Sequence, residues 1–417
     1  MPVTTTSDHD QPVTLPTVRA GLFDPPGQLA HLRETSPIRR LVCPDGSLGW
    51  LVSSYELART VLGDTRFSAV PNAFRRRPVD TADAITAHAF LESEQDSSVV
   101  ASRVGGFIHM DAPEHTRFRR LLAGHFTMRK MNQLRSRIEE RTRTQLDLMA
   151  QLGSPVDLVE SFALPIPLAT ICDLLGVPDA HHATMHRYVA ALEDPEAGPQ
   201  VVAAALQEFG ELLRTVVRER QVRPADDLIS TMIDGGDLTE DELVGVSILL
   251  AIGGQHTTSN MLALGTFALV HDRRRWDALR ADPALIGNAV EELLRYLTVF
   301  QLGAFTRAAK ENVELGGVPV AAGETVYVSL QAANRDPAKF GDPDLLDLAR
   351  DAGGHLAFGH GIHQCIGQHL ARAEMQIAFA GLIERFPTLQ VAVPAEDVPM
   401  HPGDIDVCGP YRLPVSW

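Results

Sequence analysis

The residues best suited to chemistry lie in one short glycine-rich segment, residues 358–367, which reads F-G-H-G-I-H-Q-C-I-G. Three glycines within it allow the backbone to turn tightly and to approach a flat partner closely. Cys365 stands just before a predicted helix, whose free amides and positive dipole end would stabilise a thiolate. A thiolate in such a loop is suited to bind iron.

Residue types alone leave two other interpretations of this segment open. One is a zinc site formed by His360, His363, Cys365 and His369, since histidine and cysteine are the usual zinc ligands. The other is an ordinary buried cysteine in a turn. A single cysteine before a helix, taken without further context, would favour the buried residue.

A second segment combines an apolar helix with a polar centre. Residues 243–270 contain no Asp, Glu, Lys or Arg, while residues 253–260 read G-G-Q-H-T-T-S-N. The segment is long enough to span a bilayer, but small and polar residues at the midplane fit poorly in lipid. We therefore predict a helix buried on all sides inside a globular protein. Buried polar groups cost free energy unless something satisfies them, so this centre indicates a site.

Composition narrows the possible functions. The chain has 417 residues, is 45% hydrophobic and 22% charged, and carries a formal net charge of −16. Such acidity argues against a nucleic-acid partner. None of the four cysteines has C-x-x-C spacing, which argues against a zinc ribbon or a redox dithiol. The polar N-terminus shows no signal peptide or membrane anchor. We expect free thiols and a cytoplasmic location.

Around these residues the pattern predicts a mainly α protein with small β-sheets. Residues 1–30 are expected to be an irregular lead-in, and residues 31–417 one large domain. A capping box at residues 239–242 should open the uncharged helix, which should run to about His271. Residues 71–108 are expected to form a long loop. The other predicted elements are helices at about 55–62 and 366–385, and strands at about 41–42, 50–52, 313–315, 318–320 and 325–329.

The glycine-rich segment resembles the haem-binding signature of the cytochromes P450, F-G-x-G-x-H-x-C-x-G, at every fixed position. Glu292 and Arg295 resemble the E-x-x-R motif of that family. Residues 333–337 with Arg350 resemble its meander, and residues 111–120 its bacterial C-helix motif. The chain is thus similar to soluble bacterial members of actinobacterial type. The resemblance removes the zinc interpretation and implies one large helical domain that encloses haem.

By this resemblance the cofactor is haem b, and Cys365 is its iron ligand. The family also implies partners for the two haem propionates: His115 and Arg119, four residues apart on one helix face, together with Arg307 and His363. Glu292, Arg295 and Arg350 would form a buried ion network that holds the cysteine loop.

The uncharged helix resembles the family's distal I helix. Its glycine pair, residues 253–254, would open space for dioxygen, and Thr257 matches the threonine that hydrogen-bonds it. The chain departs from the family at His256, where a carboxylate is usual. A histidine can relay protons near neutral pH, or the ring can point away as an ordinary helix residue. Both interpretations of His256 remain open here.

The resemblance implies a monooxygenase that takes electrons from NAD(P)H through a ferredoxin reductase and a ferredoxin. We expect a monomer without membrane or nucleic-acid partners. A peroxide-driven peroxygenase and a non-catalytic P450-like partner protein are the alternatives. Residues expected to dock the ferredoxin are Arg120, Arg129, Lys130 and Arg372. Residues expected to line a site for a mid-sized apolar natural product are Phe74, Phe107, Leu249, Gln255, Phe300, Gln301, Phe305, Ile405 and Val407.

Overall fold

The computed structural model describes residues 11–43, 45–70, 97–194, 197–301, 305–401 and 407–417. The chain divides into two units. The first comprises Met1–Thr81, Leu264–Cys365 and Pro394–Tyr411, and the second comprises Ala82–Ala263, Ile366–Val393 and Arg412–Trp417.

Short strands and longer helices make up both units. The strands are β1 Val13–Thr14, β2 Ile38–Val42, β3 Leu48–Val52, β4 Phe67–Ser68, β5 Val156–Asp157, β6 Thr306–Ala309, β7 Val313–Leu315, β8 Val318–Val320, β9 Thr325–Val328, β10 Gln390–Val391 and β11 Pro414–Ser416. The helices are α1 Gly27–Thr35, α2 Tyr55–Gly63, α3 Ser97–Gly105, α4 Glu114–Ala123, α5 Met128–Leu152, α6 Pro165–Leu175, α7 His182–Glu193, α8 Pro199–Val222, α9 Leu228–Asp234, α10 Glu240–His271, α11 Arg273–Ala281, α12 Ile286–Leu297, α13 Leu330–Ala333 and α14 Gln368–Arg385.

A six-stranded sheet with the order β1-β2-β3-β9-β6-β4 organises the first unit. β9 pairs parallel to β3 and antiparallel to β6, so that Val326 lies between Trp50 and Arg307. Alternate residues of β9 are buried, as the two-residue period of a strand requires. Residues 11–30 are more regular than the predicted irregular lead-in, since β1 pairs with β2 and α1 begins at Gly27.

Helices dominate the second unit, which also contains the three-stranded sheet β10-β11-β5. The predicted capping box is confirmed at the start of α10. The Thr239 amide donates to Glu242 Oε2 at 2.8 Å, and the Glu242 amide donates to Thr239 Oγ1 at 3.2 Å. α10 ends at His271, as predicted. None of the helices formed by the described residues has the length and apolar character needed to cross a membrane.

The predicted loop at residues 71–108 is wrong at its C-terminal end. Residues 71–96 lie outside the described residues, but α3 occupies residues 97–105. Its backbone closely approaches α10, since a Cβ on Gly245 would lie 1.8 Å from the carbonyl oxygen of Ala101. A Cβ on Gly105 would lie 2.3 Å from the carbonyl carbon of Gly245. Packing against α10 thus supports a helix in a sequence of weak local preference.

Candidate functional site

The loop that carries Cys365 is held by its own backbone. The Cys365 amide donates to the carbonyl oxygen of Phe358 at 2.8 Å, and the intervening residues form a short turn at Gly361–His363. Cys365 is exposed and lies three residues before the start of α14. The first amides of a helix carry a partial positive charge that favours an anion. The arrangement therefore leaves the Cys365 sulfur accessible to a ligand.

Two glycines let this loop pack against its neighbours in the first unit. Gly361 has φ +75°, and a Cβ on it would lie 2.4 Å from the Leu62 carbonyl oxygen. Gly359 has φ +69°, and a Cβ on it would lie 3.0 Å from the Phe305 ring. Phe305 directly precedes β6, so the strand that carries Arg307 runs beside the cysteine loop. Arg307 is 6% exposed, and its Nη1 donates to the Thr306 carbonyl oxygen at 2.9 Å.

The predicted ion network behind the loop is confirmed. Arg295 Nε lies 2.7 Å from Glu292 Oε2, and both side chains are fully buried. Arg350 Nε donates to Glu292 Oε1 at 3.2 Å. Arg295 Nη1 also donates to the carbonyl oxygens of Asn334 and Pro343, each at 2.9 Å. These contacts compensate the burial of two charges and fasten α12 to the chain that leads to Cys365.

In the second unit, His115 and Arg119 share one face of α4, as predicted. His115 is buried, whereas Arg119 is half-buried. Phe107 lies 6.3 Å from His115 between ring centroids, stacks on Phe118 at 6.0 Å and is 2% exposed. Phe107 therefore packs in the core of the second unit, and its assignment to the substrate wall stays a prediction.

The polar centre of α10 presents Gly253 and Thr257 on one accessible face. Gly253 is exposed, no atom lies within 4 Å of where its Cβ would be, and Thr257 Oγ1 donates to its carbonyl oxygen at 2.8 Å. Burial lowers the pKa of the His256 imidazole to about 4. The ring is therefore neutral near pH 7, and the idea that an imidazolium donates the proton loses its support.

Gln255 is 1% exposed and lies on the buried face of α10 together with Ala251 and Thr258. These residues lie on one side of the helix, because residues three and four apart share a helix face, and the assignment of Gln255 to the substrate wall stays a prediction. Leu249 is half-buried and packs against the core of the second unit.

The other expected wall residues lie in the first unit or outside the described part of the chain. Phe300 contacts Phe305 edge-on at 5.4 Å between ring centroids and pairs with Val407 through a β-bridge. Gln301 accepts a hydrogen bond from Arg19 Nη1 at 3.2 Å. Phe74 and Ile405 lie outside the described residues.

Cys365 differs from the other three cysteines. Cys43, Cys172 and Cys408 are buried, and burial raises the pKa of each thiol, that of Cys172 to about 12. Within the described ranges, no three His, Cys, Asp or Glu side chains are grouped to hold a metal ion. The donor at Cys365 is therefore a single accessible cysteine sulfur, which fits the axial ligand of a haem iron.

Sequence reasoning missed one titratable group, Glu374 on α14. Its side chain is 2% exposed, and burial raises its carboxyl pKa to about 8, while a hydrogen bond with Thr170 acts in the opposite direction. The available signal was an acidic residue on the apolar face of the last long helix, between Ala373 and Met375.

Comparison with known proteins agrees with this geometry. The family model described as Cytochrome P450 matches residues 196–405. The chain is 43% identical to cytochrome P450 105C1 of a Streptomyces species, over 97% of this chain and 99% of the relative. It is 36% identical to the mycinamicin IV hydroxylase/epoxidase of Micromonospora griseorubida, over 94% and 95% of the two chains.

A solved structure of CYP105P1 in complex with filipin I superposes with a TM-score of 0.86 at 38% identity, covering 98% of this chain and 99% of that chain. The chain therefore belongs to the cytochrome P450 family, whose members are monooxygenases that bind haem b through a cysteine thiolate.

Proposed function

We propose that this monooxygenase oxidises a mid-sized apolar natural product of secondary metabolism, by hydroxylation, epoxidation or oxidative coupling. The observation that carries the proposal is the exposed Cys365, set before α14 in a loop closed by the hydrogen bond to Phe358. The haem, when bound, supplies the activation of dioxygen. The chain's own residues bind the cofactor, orient the substrate and manage protons.

Cys365 ligates the iron in this proposal, and four basic residues hold the propionates. Support comes from the burial of Arg307 on β6 and from the shared α4 face of His115 and Arg119, with His363 two residues before the ligand. A charge-assisted hydrogen bond contributes about 1.5–3 kcal/mol. The double variant Arg119→Ala, Arg307→Ala should therefore lose haem faster to an apo-globin acceptor, with axial ligation unchanged.

The matched control for haem retention is Arg274→Ala, since the Arg274 side chain is 90% exposed. Haem loss from the double variant at the rate of this control would refute the assignment of the propionate partners.

On the distal side, we assign Thr257 as the residue whose hydroxyl positions a proton donor. Thr257 Oγ1 donates to Gly253 in this structure, so the oxygen itself can accept a hydrogen bond from water or from a substrate hydroxyl. His256 is neutral at physiological pH because burial lowers its pKa to about 4, so it holds no imidazolium proton there. We assign it a secondary part in proton transfer.

The substrate class rests on two kinds of support. Phe300 contacts Phe305 and pairs with Val407 in the first unit, and these three side chains are apolar. One relative is named for mycinamicin IV, and a solved relative holds filipin I. Spectral titration with a macrolide, a cyclic peptide and an indole alkaloid tests the class, and a spin-state change with none of the three contradicts it.

Electrons reach the enzyme from NAD(P)H through a ferredoxin reductase and a ferredoxin in this proposal. Arg120 and Arg129 are exposed, and Lys130 and Arg372 are half-buried, so an acidic carrier can meet a basic surface. Turnover with the two carriers and NADPH supports a monooxygenase, whereas turnover only with hydrogen peroxide supports the peroxygenase. The cytoplasmic location and the monomeric state stay predictions.

A further inference from the structure

Asn334 is a fully buried residue that joins two other segments of the first unit to its own. Its Oδ1 accepts from the Leu356 amide at 2.6 Å, and its Nδ2 donates to Thr298 Oγ1 at 2.8 Å. Its carbonyl oxygen accepts from Arg295 Nη1 at 2.9 Å. The side-chain amide therefore uses its acceptor and a donor on two different segments.

The first of these segments begins at a strained turn. Thr298 ends α12 with φ +36°, in the left-handed region that a β-branched residue rarely adopts. Such a conformation persists only where the surroundings fix it. Thr298 Oγ1 donates to the Arg295 carbonyl oxygen at 2.8 Å and accepts from Asn334. The turn directs the chain into Phe300 and then into β6 with Arg307.

The second segment is the loop that ends at Cys365. Leu356 is 2% exposed, and its carbonyl oxygen accepts from the Gly359 amide at 2.8 Å. The next backbone bond toward the ligand joins the Cys365 amide to Phe358. The side chain of Asn334 therefore binds the backbone at Leu356, where the loop that carries Cys365 begins.

We propose that Asn334 is a positioning residue that couples the Cys365 loop to the turn at Thr298, so that the ligand loop and this turn keep a fixed position relative to each other. The proposal rests on the proposed function in one respect, the assignment of Cys365 as iron ligand. The ion pair of Glu292 with Arg295 anchors α12, whereas Asn334 alone among these residues contacts both Thr298 and Leu356 through its side chain.

Two variants remove the contact with Thr298 and leave an acceptor for Leu356 in place. Asn334→Asp keeps an oxygen for the Leu356 amide but loses the Nδ2 donor, and Thr298→Val removes the hydroxyl with little change of shape. The control for the exchange of asparagine by aspartate is Asn312→Asp, at an exposed asparagine of the first unit whose Oδ1 accepts the Ala322 amide at 2.9 Å. Thr298→Val adds no charge, so it separates the loss of the hydrogen bond from the burial of a carboxylate.

Hydrogen exchange of the Leu356 amide in the holoenzyme is the first measurement. The Ser329 amide, which donates to the Val52 carbonyl oxygen at 2.9 Å, reports global unfolding in the same sample. We expect both variants to accelerate Leu356 exchange about tenfold more than Ser329 exchange, with no such difference in Asn312→Asp. Unchanged Leu356 exchange, or equal acceleration at both amides, would overturn the coupling.

The thiolate band of the reduced carbon monoxide complex is the second measurement. Both variants should show a smaller fraction of this band at equal haem content, and the double variant should lose no more than either single variant. Additive losses would overturn the coupling. The exchange result does not depend on which residue ligates the iron, so a failure of the Cys365 assignment is distinguished from a failure of Asn334.

Discussion

Gly361 lies so close to Leu62 that a methyl group on its α-carbon would meet the Leu62 carbonyl oxygen at 2.4 Å. Its backbone also has φ +75°, a region that other residues enter at a cost of roughly 1–2 kcal/mol. Two independent reasons therefore require glycine at this point of the loop that carries Cys365. The contact fixes the loop against the end of α2.

Replacing Gly361 with alanine should lower the free energy of unfolding more than the same change at Gly317. Gly317 has φ +80° with nothing within 4 Å of where a Cβ would lie, so Gly317→Ala has the conformational cost without the clash. Overpacking adds typically about 1–3 kcal/mol. Urea unfolding of both variants measures the difference. Equal losses of unfolding free energy would show that the backbone at Leu62 moves aside without measurable cost.

The fraction of NAD(P)H consumption that yields product should not change with pH in the way a titrating histidine would cause. Because burial lowers the pKa of His256 to about 4, the ring stays neutral from about pH 6 to pH 8. The ratio of product formed to NAD(P)H consumed should therefore show no change across this pH range that depends on His256. A step in coupling near pH 6.5 that disappears in His256→Ala would contradict this account.

Thr257→Ala should uncouple the enzyme and release hydrogen peroxide at the expense of product. General acid catalysis is worth about 10²–10⁴-fold, so removal of the hydroxyl that positions the donor should affect coupling strongly. His256→Ala should have a milder effect, since ordered water or a substrate hydroxyl can substitute. The measurement is hydrogen peroxide and product per NAD(P)H, and an effect of Thr257→Ala no greater than that of His256→Ala would refute the assignment.

Stability should fall as pH rises through the titration of Glu374. Burial raises its carboxyl pKa from 4.5 to about 8, so the folded protein holds a proton that the unfolded chain has released. Between these two values the free energy of unfolding decreases with pH, by at most about 1.4 kcal/mol per pH unit. The hydrogen bond with Thr170 favours the ionised carboxyl, so it reduces this shift of the Glu374 pKa without cancelling it.

The variant Glu374→Gln keeps a neutral side chain with a donor and should remove this part of the pH dependence. Glu384→Gln, at an exposed position of the same helix, is the control. Urea unfolding at about pH 5, 7 and 9 distinguishes them. A slope that persists unchanged in Glu374→Gln would show that another group titrates in this window.

The sequence predicted the elements whose signals are local. The capping box at Thr239 and the apolar run after it located α10, and the strands near Val313 and Val326 followed from β-branched residues between glycines. The ion network of Glu292 could be predicted because Glu292, Arg295 and Arg350 resemble motif residues of the family.

What the sequence could not predict depends on tertiary packing. The helix α3 forms because Gly245 admits the backbone of Ala101, which no local pattern of α3 reveals. The burial of Gln255 depends on which face of α10 packs against the core. A helix that is apolar on all sides carries no sequence pattern that predicts this orientation. Glu374 was missed because its unusual pKa arises from burial alone.

The assignment of Cys365 as the only cysteine that ligates iron is the central claim, and the reduced carbon monoxide spectrum tests it most directly. Cys365→Ala should abolish the red-shifted thiolate band, because no other exposed thiol exists among the four cysteines. Cys43→Ala, Cys172→Ala and Cys408→Ala should each retain the band. Persistence of the band in Cys365→Ala, or its loss in one of the other three variants at equal haem content, would contradict the account.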